Sequence, residues 1–176
     1  MPITDKQIQP IIALLKQALL NEWKAQGHFM SGKIIDEMEF LIERDLGRTS
    51  LIGMMYPYGT YQDAGVDAGN IPFSPGSGAK KSDYIDGLIR WVKKRMAVND
   101  LKEAKSIAFA IAHTQKREGM PTVGALGHSG TGKRTEFVSD AIIKVQPKLG
   151  DYIRQFYTKY MRTEFESVIT KNIKEL

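Results

Sequence analysis

Residues 33–43 read KIIDEMEFLIE, and they depart from the helical spacing of the segment before them. Apolar side chains at positions 34, 38, 40 and 42 fall on one face, and charged side chains at positions 33, 37, 39 and 43 fall on the other. A period of two with one polar face predicts a strand that is buried on one side only. Residues 44–48 read RDLGR and predict a turn, after which residues 49–55 return as a second strand. We therefore expect an antiparallel hairpin, with residues 58–63 as a short third strand.

A helix is predicted before this hairpin. Residues 4–7 read TDKQ and have the form of a capping box. Apolar residues then recur three or four positions apart as far as Trp23, which predicts one buried stripe. Pro10 suggests that the regular helix begins there, and Gly27 marks its end.

Further helices are predicted after the hairpin. Ser82 and Asp100 stand where N-caps belong, and they predict helices of residues 83–96 and 101–118. A short helix of residues 136–145 follows, and then a long amphipathic helix of residues 147–176 whose end is expected to project or to contact a partner. The predicted fold class is α+β in one domain of residues 1–176. It comprises an N-terminal helix, an antiparallel β-hairpin or small three-stranded sheet, and several packed helices including the long C-terminal one.

Two glycine-rich stretches, residues 65–82 and 119–134, are predicted as long loops. Loops of this length in a compact domain usually carry function.

Composition excludes several classes of protein. The chain has 176 residues, a net charge of +5 and no cysteine. A disulfide scaffold, a cysteine nucleophile, a thiolate zinc site and an iron–sulfur cluster are therefore excluded. No cationic start leads into an apolar run, and no stretch approaches 18 apolar residues, so we expect neither a secretory signal nor a membrane span. The expectation is a soluble protein made in a cytoplasm.

One segment approaches a nucleotide-binding motif. Residues 127–134 read GHSGTGKR and match seven of the eight positions of a P-loop, but Arg134 stands where a magnesium-binding hydroxyl is required. The preceding residues 122–126 are too short and glycine-broken for the buried strand that a P-loop follows. A basic loop capping the next helix is the favoured interpretation, and a phosphate-handling enzyme remains a minor alternative.

Other candidates for catalysis are weak. His28, His113 and His128 have no neighbouring ligand or carboxylate at metal-site spacing. The glutamates at positions 37, 39 and 43 fall on the polar face of the predicted strand. We therefore predict no catalytic residue, no metal site, no cofactor and no enzymatic activity.

Basic residues concentrate between positions 80 and 118, where they exceed acidic ones by five. A basic stripe of this kind binds a phosphate backbone without sequence preference. The alternative function is therefore a small basic DNA-associated protein. The residues that could face DNA are Lys93, Lys94, Arg95, Lys133 and Arg134.

A family resemblance rests on the order of four short motifs. Residues 58–65 read YGTYQDAG, residues 91–94 read WVKK, and residues 108–112 read AFAIA in a segment that ends at Gly119. Thr131 and Gly132 then precede residues 136–138 (EFV) before the last helices. In this order the chain resembles the tail-completion (minor tail component, or neck) family of tailed bacteriophages. The loop of residues 65–82 is longer than usual in that family, which leaves open which ring the subunit would form.

The resemblance implies a structural virion protein, made in the host cytoplasm, that joins head to tail around the DNA channel. It implies a homo-oligomeric ring of about six or twelve copies, in which one patch meets a different patch on the next copy. Neighbouring neck, portal-adaptor or tail-tube proteins are the implied partners, with non-specific contact to packaged DNA and no membrane contact. Deletion of residues 65–82 is expected to leave the monomer folded but to block joining. The residues expected at the assembly interface are Tyr58, Gly59, Tyr61, Asp63, Gly65, Phe73, Lys80 and Lys81.

Overall fold

The computed structural model describes residues 4–28, 33–46, 48–76 and 82–174. The fold is α+β, mostly helical, with one two-stranded antiparallel sheet in the described part. In chain order the elements are α1 (Asp5–Ala25), α2 (Lys33–Asp36), β1 (Glu39–Asp45), β2 (Arg48–Met54), α3 (Pro57–Ala64), a 3-10 turn (Ala68–Asn70), α4 (Asp83–Met96), α5 (Leu101–Glu118), α6 (Val123–Leu126) and α7 (Phe137–Lys174).

The predicted hairpin is confirmed, with a later start. β1 and β2 pair in register from Glu39 opposite Met54 to Asp45 opposite Arg48. Residues 33–36, which the alternation had assigned to the strand, form the short helix α2. Phe40 faces the core and Leu41 faces outward, as the period of two requires.

The predicted third strand at residues 58–63 is wrong, because this segment is the helix α3. Pro57 occupies the first helical position, where its fixed φ suits a helix and its missing N–H costs nothing. Gly65 follows the last helical residue with a φ of +79° and ends the helix. The segment instead packs against the start of α7, as described below.

The main core lies between α1 and α7. Leu19 and Trp23 of α1 pack with Phe137 and Ala141 of α7, and Met38 joins them ahead of the hairpin. The Trp23 and Phe137 rings meet edge to face, with their centroids 4.9 Å apart. Burying each large apolar side chain here contributes about 1.5–3 kcal/mol, so this pair of helices anchors the fold.

The helices α4 and α5 form a second packed pair with the predicted caps. Ser82 Oγ accepts from the Ile85 N–H, and Asp100 Oδ2 accepts from the Glu103 N–H. Ala104, Ala108 and Ala112 of α5 have no exposed surface, and their small side chains let α4 approach closely. Together with Ile71 and Phe73 these helices build hydrophobic clusters of their own.

The two predicted C-terminal helices are one. α7 runs through Pro147 without interruption for 38 residues, about 57 Å at 1.5 Å per residue. Pro147 cannot donate to the Ile143 carbonyl, but both residues are exposed and water can satisfy that oxygen. In α1 the helix likewise starts at Asp5, ahead of Pro10, because the capping box of Thr4 and Gln7 satisfies its first turn.

Candidate assembly surfaces and the junction around α3

The helix α3 holds the start of α7. The Val138 N–H donates to Asp63 Oδ1 over 2.9 Å, and the Glu136 N–H donates to the Asp63 carbonyl oxygen over 2.7 Å. Asp63 therefore caps a helix that begins more than 70 residues later, and its carboxylate lies at the positive end of the α7 dipole. The side chain of Asp63, which the sequence analysis expected at an assembly interface, therefore joins α3 to α7 within the same chain.

A backbone bridge flanked by two glycines joins the two ends of the segment that carries α4 and α5. Val66 and Met120 exchange backbone hydrogen bonds of 2.8 and 2.7 Å, and they bring residues 66 and 120 together as an isolated antiparallel bridge. Gly65 and Gly119 flank this bridge with φ values of +79° and +84°. A Cβ on Gly65 would lie 2.7 Å from the Met120 carbonyl oxygen, so only glycine fits there.

The other motif residues divide between surface and interior. Tyr58 and Tyr61 are each about 60% exposed, and Gly59 between them is buried. Phe73 is turned inward, where its ring packs edge to face on the His113 ring at 4.9 Å. Lys80 and Lys81 lie outside the described residues.

The burial of Phe73 and Ile71 also changes what a loop deletion would do. Both side chains belong to the cluster that packs α4 on α5, and Val66 forms the bridge to Met120. The expectation that residues 65–82 can be deleted without unfolding is wrong, because the deletion would remove core as well as loop.

Two of the five residues expected to face DNA are engaged within the chain. Lys133 Nζ lies 2.9 Å from Asp140 Oδ2 and 3.2 Å from Glu136 Oε2, and these carboxylates raise the pKa of Lys133. Arg134 donates to the carbonyl oxygens of Ala125 in α6 and of Gly27, just after α1, over 3.3 and 3.2 Å. The basic loop therefore fastens the end of α1 to the start of α7.

This loop also lacks the setting of a P-loop. The residues before it form the single helical turn α6 where a P-loop requires a buried strand. Lys133, which would contact phosphates, is held by two carboxylates of its own chain. Among the described residues no group of three or more His, Asp and Glu side chains is placed to hold a metal ion. None of the described helices is long and apolar enough to cross a membrane.

A polar cluster that the sequence analysis missed lies in the α1–α7 interface. Glu22 is 3% exposed and pairs with Lys144 of α7. Gln26 is fully buried, and its amide donates to Glu22 Oε1 and Asp140 Oδ2 over 3.3 and 3.4 Å. The positions of these two residues could have revealed the cluster, since residues 22 and 26 share the helix face of Leu19 and its apolar neighbours. A polar residue on an apolar face calls for a partner across it.

His28 lies beside this cluster and against the Trp23 ring, with the ring centroids 4.9 Å apart. Burial, with the Arg134 charge as a second cause, lowers the pKa of His28 to about 4. The imidazole is therefore neutral at physiological pH, and its ring packs against the rings of Trp23 and Phe137.

The three remaining basic residues expected to face DNA are exposed. Lys93, Lys94 and Arg95 occupy the last turn of α4, where positive charge favours the negative end of the helix dipole. Arg90 on the same helix and Lys105 on α5 are exposed as well.

Among the exposed large apolar side chains, two groups are candidates for an assembly contact. The first is the C-terminal arm, residues 161–174 of α7, in which every residue from Met161 to Lys171 is exposed. Its large apolar side chains, 48–67% exposed, are Met161, Phe165, Val168, Ile169 and Ile173. The second is the outer face of the hairpin, where Leu41, Ile52 and Met54 are 40–47% exposed between Glu39 and Glu43.

Comparison with models of protein families, with curated proteins and with solved structures found no match to this chain.

Proposed function

We propose that this chain is a structural virion protein of a tailed bacteriophage. It forms a ring at the head–tail neck or tail terminus and joins head to tail around the DNA channel. The proposal starts from the order of motifs that resembles the tail-completion family, and it needs a subunit built to bind copies of itself and neighbouring proteins.

The observation that carries the proposal is the C-terminal arm. A helix in water gains most of its stability by packing an apolar face, and the arm has such a face with no packed partner in the described structure. Contiguous exposed apolar side chains of this size mark protein contacts. An arm that projects from a small subunit suits a ring, in which each copy reaches the next.

The motif of residues 58–65 supports the same proposal in a different way. Through Asp63 and Gly65 it holds together α3, the start of α7 and the end of α5. A subunit that transmits load between head and tail needs such a junction. The exposed rings of Tyr58 and Tyr61 add aromatic surface of the kind that protein interfaces use.

Quantitative mass spectrometry of purified phage particles from the source tests the proposal. The amount of this chain would be calibrated against the major capsid protein, and we expect a fixed count on the order of six or twelve per particle. Absence of the chain from mature particles would overturn the structural role.

The exposed basic turn of α4 favours a second candidate, a DNA-associated protein acting in phage assembly. Its affinity for DNA would fall steeply with salt, because each neutralised phosphate releases counterions. Lys93→Gln/Lys94→Gln should then flatten the salt dependence, whereas Lys148→Gln/Lys159→Gln on α7, which removes the same charge outside residues 80–118, serves as the control. Absence of binding at low salt would remove this candidate.

A further inference from the structure

We propose that the C-terminal arm of one copy binds the outer face of the hairpin of a second copy. The contact rests on the proposed function, because it would supply the subunit-to-subunit junction of the ring. It pairs two of the apolar surfaces that the described chain leaves exposed.

The apolar stripe of the arm does not continue the face that packs on α1. Tyr152 of α7 contacts α1 at Gln7, and Phe156, one turn further along the same side of the helix, is half-buried. Phe165 follows Phe156 nine residues later and is exposed. At about 100° per residue the two rings lie on opposite sides of the helix. The exposed stripe therefore faces away from the rest of its own subunit.

The outer face of the hairpin offers a flat apolar strip. Leu41 and Ile52 are cross-strand partners, and Met54 is the partner of Glu39 on the same face. The three apolar side chains form a short strip across the two strands. An amphipathic helix laid on this strip would bury apolar surface from both sides.

The charges around the two surfaces have opposite net sign. The outer face of β1 carries three acidic side chains, Glu39, Glu43 and Asp45, beside Leu41. The positions of β2 opposite these residues contribute one charged side chain, that of Arg48. The arm, residues 161–174, carries three basic and two acidic side chains. Electrostatic complementarity of this kind selects the partner and its orientation.

A chain cannot cover its own hairpin with its own arm. Arg44 near the hairpin tip pairs with Asp5 at the start of α1, and Tyr152 of α7 donates to the Gln7 carbonyl oxygen at the same end of α1. α7 is continuous through this level, and its last 14 residues carry the arm about 20 Å further on. The acceptor is therefore the hairpin of another copy, in a heterologous contact that repeats from subunit to subunit.

Mixing two single-site variants tests the contact. Phe165→Asp removes the arm surface, Ile52→Asp removes the hairpin surface, and Val123→Asp is the control because Val123 is 74% exposed on neither surface. Sedimentation velocity over a concentration series would measure association, and circular dichroism would verify that each variant keeps its helix content. The unmodified chain and the control should associate, whereas each surface variant should associate at least about tenfold more weakly.

The equimolar mixture of Phe165→Asp and Ile52→Asp gives the decisive result. The intact arm of one variant can bind the intact hairpin of the other, so the mixture should form a heterodimer and nothing larger. If arms paired with arms, Ile52→Asp would associate normally by itself, because its arm is intact. The mixture would then contain no heterodimer, because Phe165→Asp has no intact arm to pair. That result, or an unmodified chain that stays monomeric at every concentration, would overturn the contact.

The failure of this contact is distinct from the failure of the proposed function. A fixed low count in phage particles together with no heterodimer would keep the virion role and reject the arm-to-hairpin junction. A heterodimer together with absence from particles would keep the junction and reject the virion role.

Discussion

Replacing Asp63 by alanine should destabilise the protein through a helix that starts more than 70 residues away. The variant removes the acceptor of the 2.9 Å hydrogen bond from the Val138 N–H, and it leaves the backbone bond from Glu136 to the residue 63 carbonyl intact. Loss of an N-cap costs about 1 kcal/mol, and loss of a carboxylate at the positive end of a helix costs about 0.3–1 kcal/mol. We expect the free energy of unfolding to fall by about 1.3–2 kcal/mol.

Thermal denaturation followed by circular dichroism is the assay. For a chain of this size each kcal/mol shifts the Tm by about 2–4 °C, so Asp63→Ala should lower the Tm by about 3–8 °C. Asp63→Asn keeps an oxygen acceptor and loses only the charge, so its Tm should fall by about 1–4 °C.

The matched control is Asp67→Ala in the same segment, because Asp67 precedes the 3-10 turn without a side-chain capping bond. The reasoning would be refuted if Asp63→Ala melted at the same temperature as Asp67→Ala. The cap would then contribute nothing to holding α3 against α7.

Three further predictions concern the junction and the polar cluster. Gly65→Ala should lower the free energy of unfolding by about 1–3 kcal/mol, because its φ is +79° and the new Cβ would lie 2.7 Å from a carbonyl oxygen, whereas Gly69→Ala has open space and should not. Lys144→Met should lower the urea midpoint by leaving the buried Glu22 carboxylate unpaired, and adding Glu22→Gln to it should restore much of the loss. The pKa of His28 is lowered in the folded state to about 4, so stability should rise with pH between about 4 and 6.5, and His28→Gln should flatten that rise.

The sign of the His28 effect follows from proton binding. Between these pH values the unfolded chain binds a proton at His28 that the folded chain does not, so lowering the pH favours unfolding. His128→Gln is the control, since the His128 side chain is exposed. If His28→Gln and His128→Gln changed the pH dependence of stability equally, the pH effect would not come from His28. If Glu22→Gln/Lys144→Met were no more stable than Lys144→Met alone, the loss in Lys144→Met would not come from an unpaired Glu22 carboxylate.

The sequence by itself determined the features that depend on neighbours within a turn or two of the chain. The capping box at Thr4, the N-caps Ser82 and Asp100 and the hairpin of β1 and β2 were all predicted, since their hydrogen bonds or alternation join residues close in sequence. The α+β class followed from these local patterns.

Tertiary structure decided the features in which distant segments compete with local preference. Packing of α7 on α1 outweighs Pro147, so one helix replaced two. The contact of Asp63 with the start of α7 spans 75 residues, so no local pattern could reveal it. The charges of Lys133 and Arg134 were evident in the sequence, but whether they faced solvent or their own chain depended on where α7 begins and where α1 ends. Side-chain type is set locally, whereas burial and partners are set by the packing of the whole chain, because a buried charge must find a partner wherever the fold provides one.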